Sequence, residues 1–403
     1  MKPTNTAASE GADAKSRTTK TSLLYNPTFR SVAFQIITVA ALVFFFYTII
    51  NNAFTNLDAR GIATGFGFLD KTAGFGIGLT LIDYDETYSY GRTFVVGLLN
   101  TALVSFLGII FATILGFFIG IARLSSNWLV SRLAAVYIEI FRNIPLLLQI
   151  LFWYFAVLQA LPSPRQSMSL GEAIFLNVRG LYLPAPNFEP GSGVVIGAFL
   201  LGVIATIVIN IWAKNKQKLT GQQTPMGRIG LGLCVVLPLV VYFLAGSPIS
   251  ANYPELKGFN FRGGVSIIPE LAALLLALSV YTASFIAEIV RSGINAVSHG
   301  QTEAAMSLGL PRNKTLKLVV IPQAMRIIIP PLTSQYLNLT KNSSLAMAIG
   351  YPDLVSVFAG TTLNQTGQAI EIIAMTMGVY LTLSLLTSLL MNIYNRKVAL
   401  VER

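Results

Sequence analysis

Residues 93–121 run without a single charged side chain. About 20 apolar residues suffice to cross the hydrocarbon core of a bilayer as a helix. Within that core every backbone N–H and C=O needs an internal partner, so such a run has almost no fold open to it but a spanning helix. Further apolar stretches follow the same logic, and spans are expected at about 31–50, 93–121, 144–161, 193–213, 229–246, 266–290, 327–340 and 369–394. The third is led in by a helical stretch, 130–142. The seventh is short, extends back through 319–325, and is bent by Pro322, Pro330 and Pro331. The second carries Gly97, Thr101, Ser105, Gly108, Thr113, Gly116 and Gly120, small residues that let membrane helices approach closely. The expected fold class is all-α: a polytopic membrane protein of about eight transmembrane helices.

Only 11% of the residues are charged and 54% are hydrophobic, against about 25% charged in soluble proteins. A single cysteine, Cys234, and a single histidine, His299, leave no disulfide framework and little material for a thiolate metal site or a Ser–His–Asp triad. No G-x-x-x-x-G-K-[ST] stretch occurs, so the chain has no P-loop with which to bind ATP itself. The net charge of +11 invites a nucleic-acid reading, but the placement of the charges argues against it. Arg123/Arg132/Arg142, Lys214/Lys216/Lys218/Arg228, Arg291/Arg312/Lys314/Lys317/Arg326 and Arg396/Lys397/Arg403 fall on one side of the expected spans, with the basic N-terminal tail. Asp58, Asp70, Asp83, Asp85, Glu86, Glu172, Glu189 and Glu255 all fall on the other. By the positive-inside bias, both termini are cytoplasmic.

Residues 1–30 read as a disordered cytoplasmic tail, and 31–92 as an extra first span with a periplasmic loop. Segment 341–368 is apolar in pieces but broken by Gly350 and Pro352. It is read as re-entrant or as a periplasmic plug, tolerable only if buried in protein or lining a cavity.

Several constellations carry candidate chemistry. Residues 300–323 form a basic, polar interruption between two apolar runs, with a short helix expected at 301–308 between Gly300 and Gly309. Glu303 sits near the third helical position, where a carboxylate meets free N–H groups. Ala304, Ala305 and Leu308 share one side, and Gly309 ends the helix in a left-handed turn before Pro311. Such a helix either docks into a groove on another protein or merely caps a hairpin. Glu288, at the end of the sixth span, is a pathway or gate candidate, or else half of an i, i+3 pair with Arg291. Lys341-Asn342-Ser343-Ser344 at the end of the seventh span offers a cation and three hydrogen-bonding side chains to a carboxylate ligand, or is an interfacial anchor. Glu139 and Arg142 are spaced to pair, and with Asn143 and Pro145 they read as structural. Lys214, Lys216 and Lys218 read as topology determinants or anionic-lipid contacts.

Glu303-Ala304-Ala305-x3-Gly309-x12-Pro322 resembles the EAA signature of permease subunits of ATP-binding-cassette importers, with Val319 where the usual residue is Ile. Four further stretches are similar to the polar-amino-acid permease subgroup: residues 97–101, 137–149, 287–294 and 338–345. The resemblance implies a type I importer permease fold whose five-helix core lies in 93–161 and 265–403. The first span and the insertion 162–264, with its two extra spans, look like those of the larger permease of the general L-amino-acid transport system of Gram-negative bacteria.

What the resemblance implies is an inner-membrane subunit of an ATP-driven, binding-protein-dependent importer of L-amino acids. Helix 301–308 would be the coupling helix, with Gly300, Glu303, Ala304, Ala305, Leu308, Gly309 and Pro322 engaging a dimeric cytoplasmic ATPase. On the residues' own chemistry, Glu288, Lys341, Asn342, Ser343 and Ser344 are the substrate-pathway candidates, and Glu139, Arg142, Asn143 and Arg291 are read as structural or gating. Partners would be a second, related permease, a periplasmic amino-acid-binding protein and membrane lipid, with no nucleic acid. The chain itself would hold no cofactor, ATP and Mg binding the ATPase. The alternative is a secondary amino-acid transporter driven by an ion gradient, which favours midplane carboxylates and two inverted halves.

Overall fold

The computed structural model describes residues 27–59, 61 and 64–398. The expected tail lies outside them up to residue 26, as do Arg60 and Arg403, whereas residues 27–30 already belong to a helix. The chain divides into two units, Met1–Gly65 and Phe66–Arg403. The first holds α1 (Pro27–Ala59), which carries no charged side chain between Arg30 and Asp58, as suits a spanning helix. Residues 66–92 of the expected 31–92 segment belong to the second unit.

That unit is organised by α2 (Tyr90–Arg123). It is followed by α3 (Trp128–Asn143), whose Asn127 cap accepts the amides of Leu129 and Val130. Next come α4 (Leu146–Leu151) and a π-helical segment, Phe152–Leu158. The two pieces meet at 105°. Ile144 is extended, as a residue before proline prefers, and Gln149 Nε2 donates to the Phe141 and Ile144 carbonyls that the bend frees. A separate third span at 144–161 is therefore corrected. At about 1.5 Å per residue, Leu146–Leu158 reaches only about 20 Å of an about 30 Å core. α3 and α4 complete a crossing only as one broken span. Among the described residues seven helices are long and apolar enough to cross, and the bent pair makes eight.

The insertion holds α5 (Ser192–Thr220), α6 (Met226–Leu231), a π segment Gly232–Val236, and α7 (Leu237–Leu244). Its flanks are not the plain loops an all-helical chain would have. β1 (Met168–Leu170), β2 (Ile174–Asn177), β3 (Gly180–Leu183) and β4 (Ala185–Phe188) precede α5. β5 (Ile249–Asn252), β6 (Glu255–Lys257), β7 (Asn260–Arg262) and β8 (Val265–Ile267) follow α7. They pair antiparallel as β1-β2-β3-β8, β4-β5 and β6-β7. Phe261 packs against Phe175 and Tyr182 with ring centroids 4.5 and 5.0 Å away.

α8 (Pro269–Asn295) starts with Pro269 and Glu270 in its first turn. It packs along α2 so closely that a Cβ on Gly116 would lie 2.6 Å from Ile286 Cβ, and one on Gly120 2.8 Å from the Ala287 carbonyl. Then follow α9 (His299–Ser307), α10 (Arg312–Thr315), a π segment Leu316–Val320 and α11 (Ile321–Asn342). From α10 through a 3-10 stretch, Ser343–Ile349, runs one continuous span, Arg312–Ile349, which reaches beyond both the expected 327–340 and its backward extension at 319–325. Pro330 and Pro331 lie inside α11.

A fourth π segment, Val355–Thr362, leads through α12 (Leu363–Thr366) to α13 (Ala369–Val398). The connecting segment is buried in protein, which is what its broken backbone requires. Asn100 of α2 donates to the Pro352 and Leu79 carbonyls at 2.9 and 2.8 Å, Tyr351 donates to the Asn100 carbonyl, and the Leu354 amide donates to Thr101. Replacing Asn100 by Leu strands two carbonyls in the interior, at about 1–3 kcal/mol each. Asn100→Leu is expected to melt well below wild type in a detergent thermal-shift assay, and an unchanged melting point would refute this anchoring.

Candidate functional site

Two places in the second unit present chemistry outward. The first is α9. Its N-terminus is Ser298, whose hydroxyl makes no capping bond, so Glu303 stands a full turn inside the helix and does not cap it. Its end is a Schellman motif: Gly309 N–H donates to the Met306 carbonyl at 2.9 Å and Leu310 N–H to the Ala305 carbonyl at 3.2 Å. Gly309 holds φ at +80°, as that turn requires. Pro311 then starts α10, and Thr315 hydrogen-bonds back to the Leu310 carbonyl.

The faces of α9 differ from the expected pattern. Ala305 is buried against its own chain, whereas Gly300, Glu303, Ala304, Ser307 and Leu308 are exposed, Leu308 by 84%. Ala304 and Ala305 thus do not share a docking surface: Ala305 seats the helix, and the other five face outward at three- and four-residue spacing. Gln323 Nε2 bonds Gln301 Oε1 at 3.3 Å, so α9 is tied to the start of α11 next to Pro322. The π segment just before Pro322 widens the helix where proline cannot supply its N–H.

The second place is a cavity of about 570 Å³ between α8 and α11, lined by Arg142, Phe285, Glu288, Ser292, Pro331, Ser334 and Gln335 among others. Glu288 does pair with Arg291, whose Nε donates to Oε2 at 3.0 Å. Both side chains are about a third exposed, so the pair is worth under about 1 kcal/mol to the fold. Glu139 and Arg142 are not paired. Asn143 Nδ2 donates to the Glu139 backbone carbonyl instead, and the Arg142 guanidinium lies 5.2 Å above the Phe285 ring, where it borders the cavity. The competing pull of a π face and open solvent explains why spacing alone misjudged that pair.

Lys341 does not join this cavity, but it continues the same face of α11. Pro331, Ser334, Asn338 and Lys341 are all exposed, at spacings of three and four. Ser343 is fully buried and donates to the Thr340 carbonyl, so it does not face this stripe. Ser344 turns back to the Lys341 carbonyl, and Asn342 is half-buried. Sequence reasoning missed Ser334, Gln335 and Asn338, whose i, i+4 recurrence in an apolar helix was the available signal. It also missed Asp353, fully buried, which accepts the Ser356 amide at 2.8 Å and the Tyr380 hydroxyl at 3.2 Å. A carboxylate just ahead of a helical run is an N-cap pattern that could have flagged it.

Residues 229–400 match the model of the family described as "Binding-protein-dependent transport system inner membrane component". A protein of Escherichia coli (strain K12), YhdX, assigned by name as an amino-acid ABC transporter permease, is 59% identical over 96% of this chain and 98% of its own length. The chain belongs to the ABC-transporter permease family. The permease is also 52% identical to the general L-amino acid transport system permease protein AapQ of Rhizobium johnstonii, over 95% of both chains. To the glutamate/glutamine/aspartate/asparagine transport system permease protein BztB of Rhodobacter capsulatus it is 42% identical, over 94% and 96%. It is thus a multi-pass membrane component of a binding-protein-dependent transport system, and the family works with an ATPase and a binding protein.

Proposed function

We propose that this permease is one half of the translocation path of an ATP-driven importer of L-amino acids, and that α9 links it to a cytoplasmic ATPase dimer. The observation that carries the reading is the near full-length similarity to permeases named for amino-acid transport. The exposed polar stripe of α11 supports it. The side chains of Ser334, Asn338 and Lys341, in line on a membrane helix, have no partner among the described residues and suit a shared aqueous path. A second, related permease would cover that stripe, and Lys341 with Asn342 would meet the substrate carboxylate. Glu288 and Arg291 would gate the opposite end, beside Arg142.

The proposed setting is a bacterial inner membrane with both termini and α9 cytoplasmic. ATP and Mg²⁺ would bind the partner ATPase, and a periplasmic binding protein would deliver the amino acid near the β-stranded end. Lys341→Ala is expected to cut amino-acid uptake about tenfold or more, as loss of a charge-assisted contact of about 1.5–3 kcal/mol implies. Assembly with the ATPase is expected to be unchanged. Uptake at the wild-type rate in both Lys341→Ala and Glu288→Ala would remove these residues from the path. The reading as a whole is tested by isolating the permease with everything attached. An ATPase, a second permease and amino-acid-stimulated ATP hydrolysis are the expected result.

A further inference from the structure

α5 carries a stripe to which the proposed function assigns no role. Leu200, Ile204, Ile207 and Ile211 are exposed, and Lys214 and Lys218 continue the same face at spacings of three and four residues. The opposite face is taken up by close packing: a Cβ on Gly202 would collide with the Leu233 carbonyl, and Thr206 Oγ1 lies 3.4 Å from Cys234 Sγ. The stripe therefore points away from the α6–α7 pair. Its apolar part, residues 200–211, is about 16 Å long, one leaflet of an about 30 Å core.

At its polar end Ile211, Lys214, Asn215, Gln217 and Lys218 border an open depression on the surface of this one helix. Residues 213–228 hold Lys214, Lys216, Lys218 and Arg228 and no carboxylate. None of these four cations joins an ion pair among the described residues. Lys216 folds back over Trp212, its ammonium 5.2 Å from the ring centroid, which leaves Lys214 and Lys218 as the outward donors. Lysines that served only the negative end of the helix dipole or the topology of the span would not need to continue an aligned apolar stripe.

We propose that this face of α5 seats one anionic phospholipid, its phosphate held by Lys214 and Lys218 and one acyl chain lying along Ile211, Ile207, Ile204 and Leu200. Charge complementarity selects an anionic headgroup over a zwitterionic one, and the stripe selects a lipid over a free anion. The seat is independent of the substrate.

The test is native mass spectrometry of the intact complex after exchange into mixed micelles of phosphatidylglycerol and phosphatidylcholine. Wild type is expected to retain phosphatidylglycerol at least tenfold over phosphatidylcholine. Neutralising lysines alone would risk inverting the hairpin, so the key variant is Lys214→Gln, Lys218→Gln, Gln222→Lys, Gln223→Lys, which keeps the charge count while emptying the stripe of ammonium groups. It is expected to lose that preference, and Lys214→Arg with Lys218→Arg to keep it. If the shuffled variant fails to accumulate, Lys214→Gln alone is expected to lower the preference severalfold. Four results would overturn the proposal: equal retention of both lipids by wild type, full retention by the shuffled variant (or by Lys214→Gln in its place), displacement by millimolar inorganic phosphate, and a cross-link from Ile207→Cys to a protein partner.

Discussion

Glu303→Lys is expected to abolish ATP-driven uptake and the co-purification of the ATPase while the chain inserts and folds as before. Glu303 is exposed, makes no ion pair among the described residues and stands too deep in α9 to cap it. An exposed substitution of this kind changes the chain's own stability by no more than about 0.5 kcal/mol. Any large effect must arise at a partner surface. Reversing a charge that meets a basic group costs about 2–5 kcal/mol, or about thirtyfold to several-thousandfold in affinity. Gly309→Pro is its companion, because proline fixes φ near −65° where the turn needs +80°. Normal uptake together with normal ATPase recovery in both variants would remove α9 from the coupling path.

Gly116→Leu is expected to cost more than about 3 kcal/mol, beyond the usual range for overpacking. The new side chain would begin 2.6 Å from Ile286 and 3.0 Å from the Ala283 carbonyl, on the seam between α2 and α8. Neither neighbour is the free end of a flexible side chain. Gly108→Ala is the graded control: its Cβ meets Leu339 Cδ2 at 3.1 Å, an end that can turn aside, and the cost is expected below about 1 kcal/mol. Thermal melting of detergent-solubilised protein by fluorescence-detected gel filtration checks both. A Gly116→Leu variant that melts within about 2 °C of wild type would contradict this account of the α2–α8 seam.

The spans were legible because the membrane demands length and apolarity together, as residues 93–121 display. Gly309 was legible because a left-handed C-cap has one favoured residue. The small residues of the second span were legible too, and Gly116 and Gly120 lie where backbone meets backbone. The strands were not. Each is three or four residues long, and β3 pairs with β8 across the whole α5–α7 hairpin, so neither period nor proximity announces them. Pro145 does stand at a helix start, as read, but the 105° bend beside it was not legible, because proline suits both a start and a break. The Glu139–Arg142 pair failed because spacing permits a contact without choosing it over the Phe285 ring. Ser343 was grouped with Lys341 by adjacency in the chain, but one residue turns a helix by about 100° and carries it into the core. The stripe Pro331, Ser334, Asn338, Lys341 is the helical counterpart of that grouping, and it is the one the fold exposes.

The measurement that bears most directly on the account is amino-acid uptake into proteoliposomes made with and without the ATPase. Uptake is expected only when ATPase, binding protein and ATP are all present, with no counter-transport by the permease subunits alone under an imposed proton or sodium gradient. Counter-transport without the ATPase would contradict it and make the chain a gradient-driven carrier.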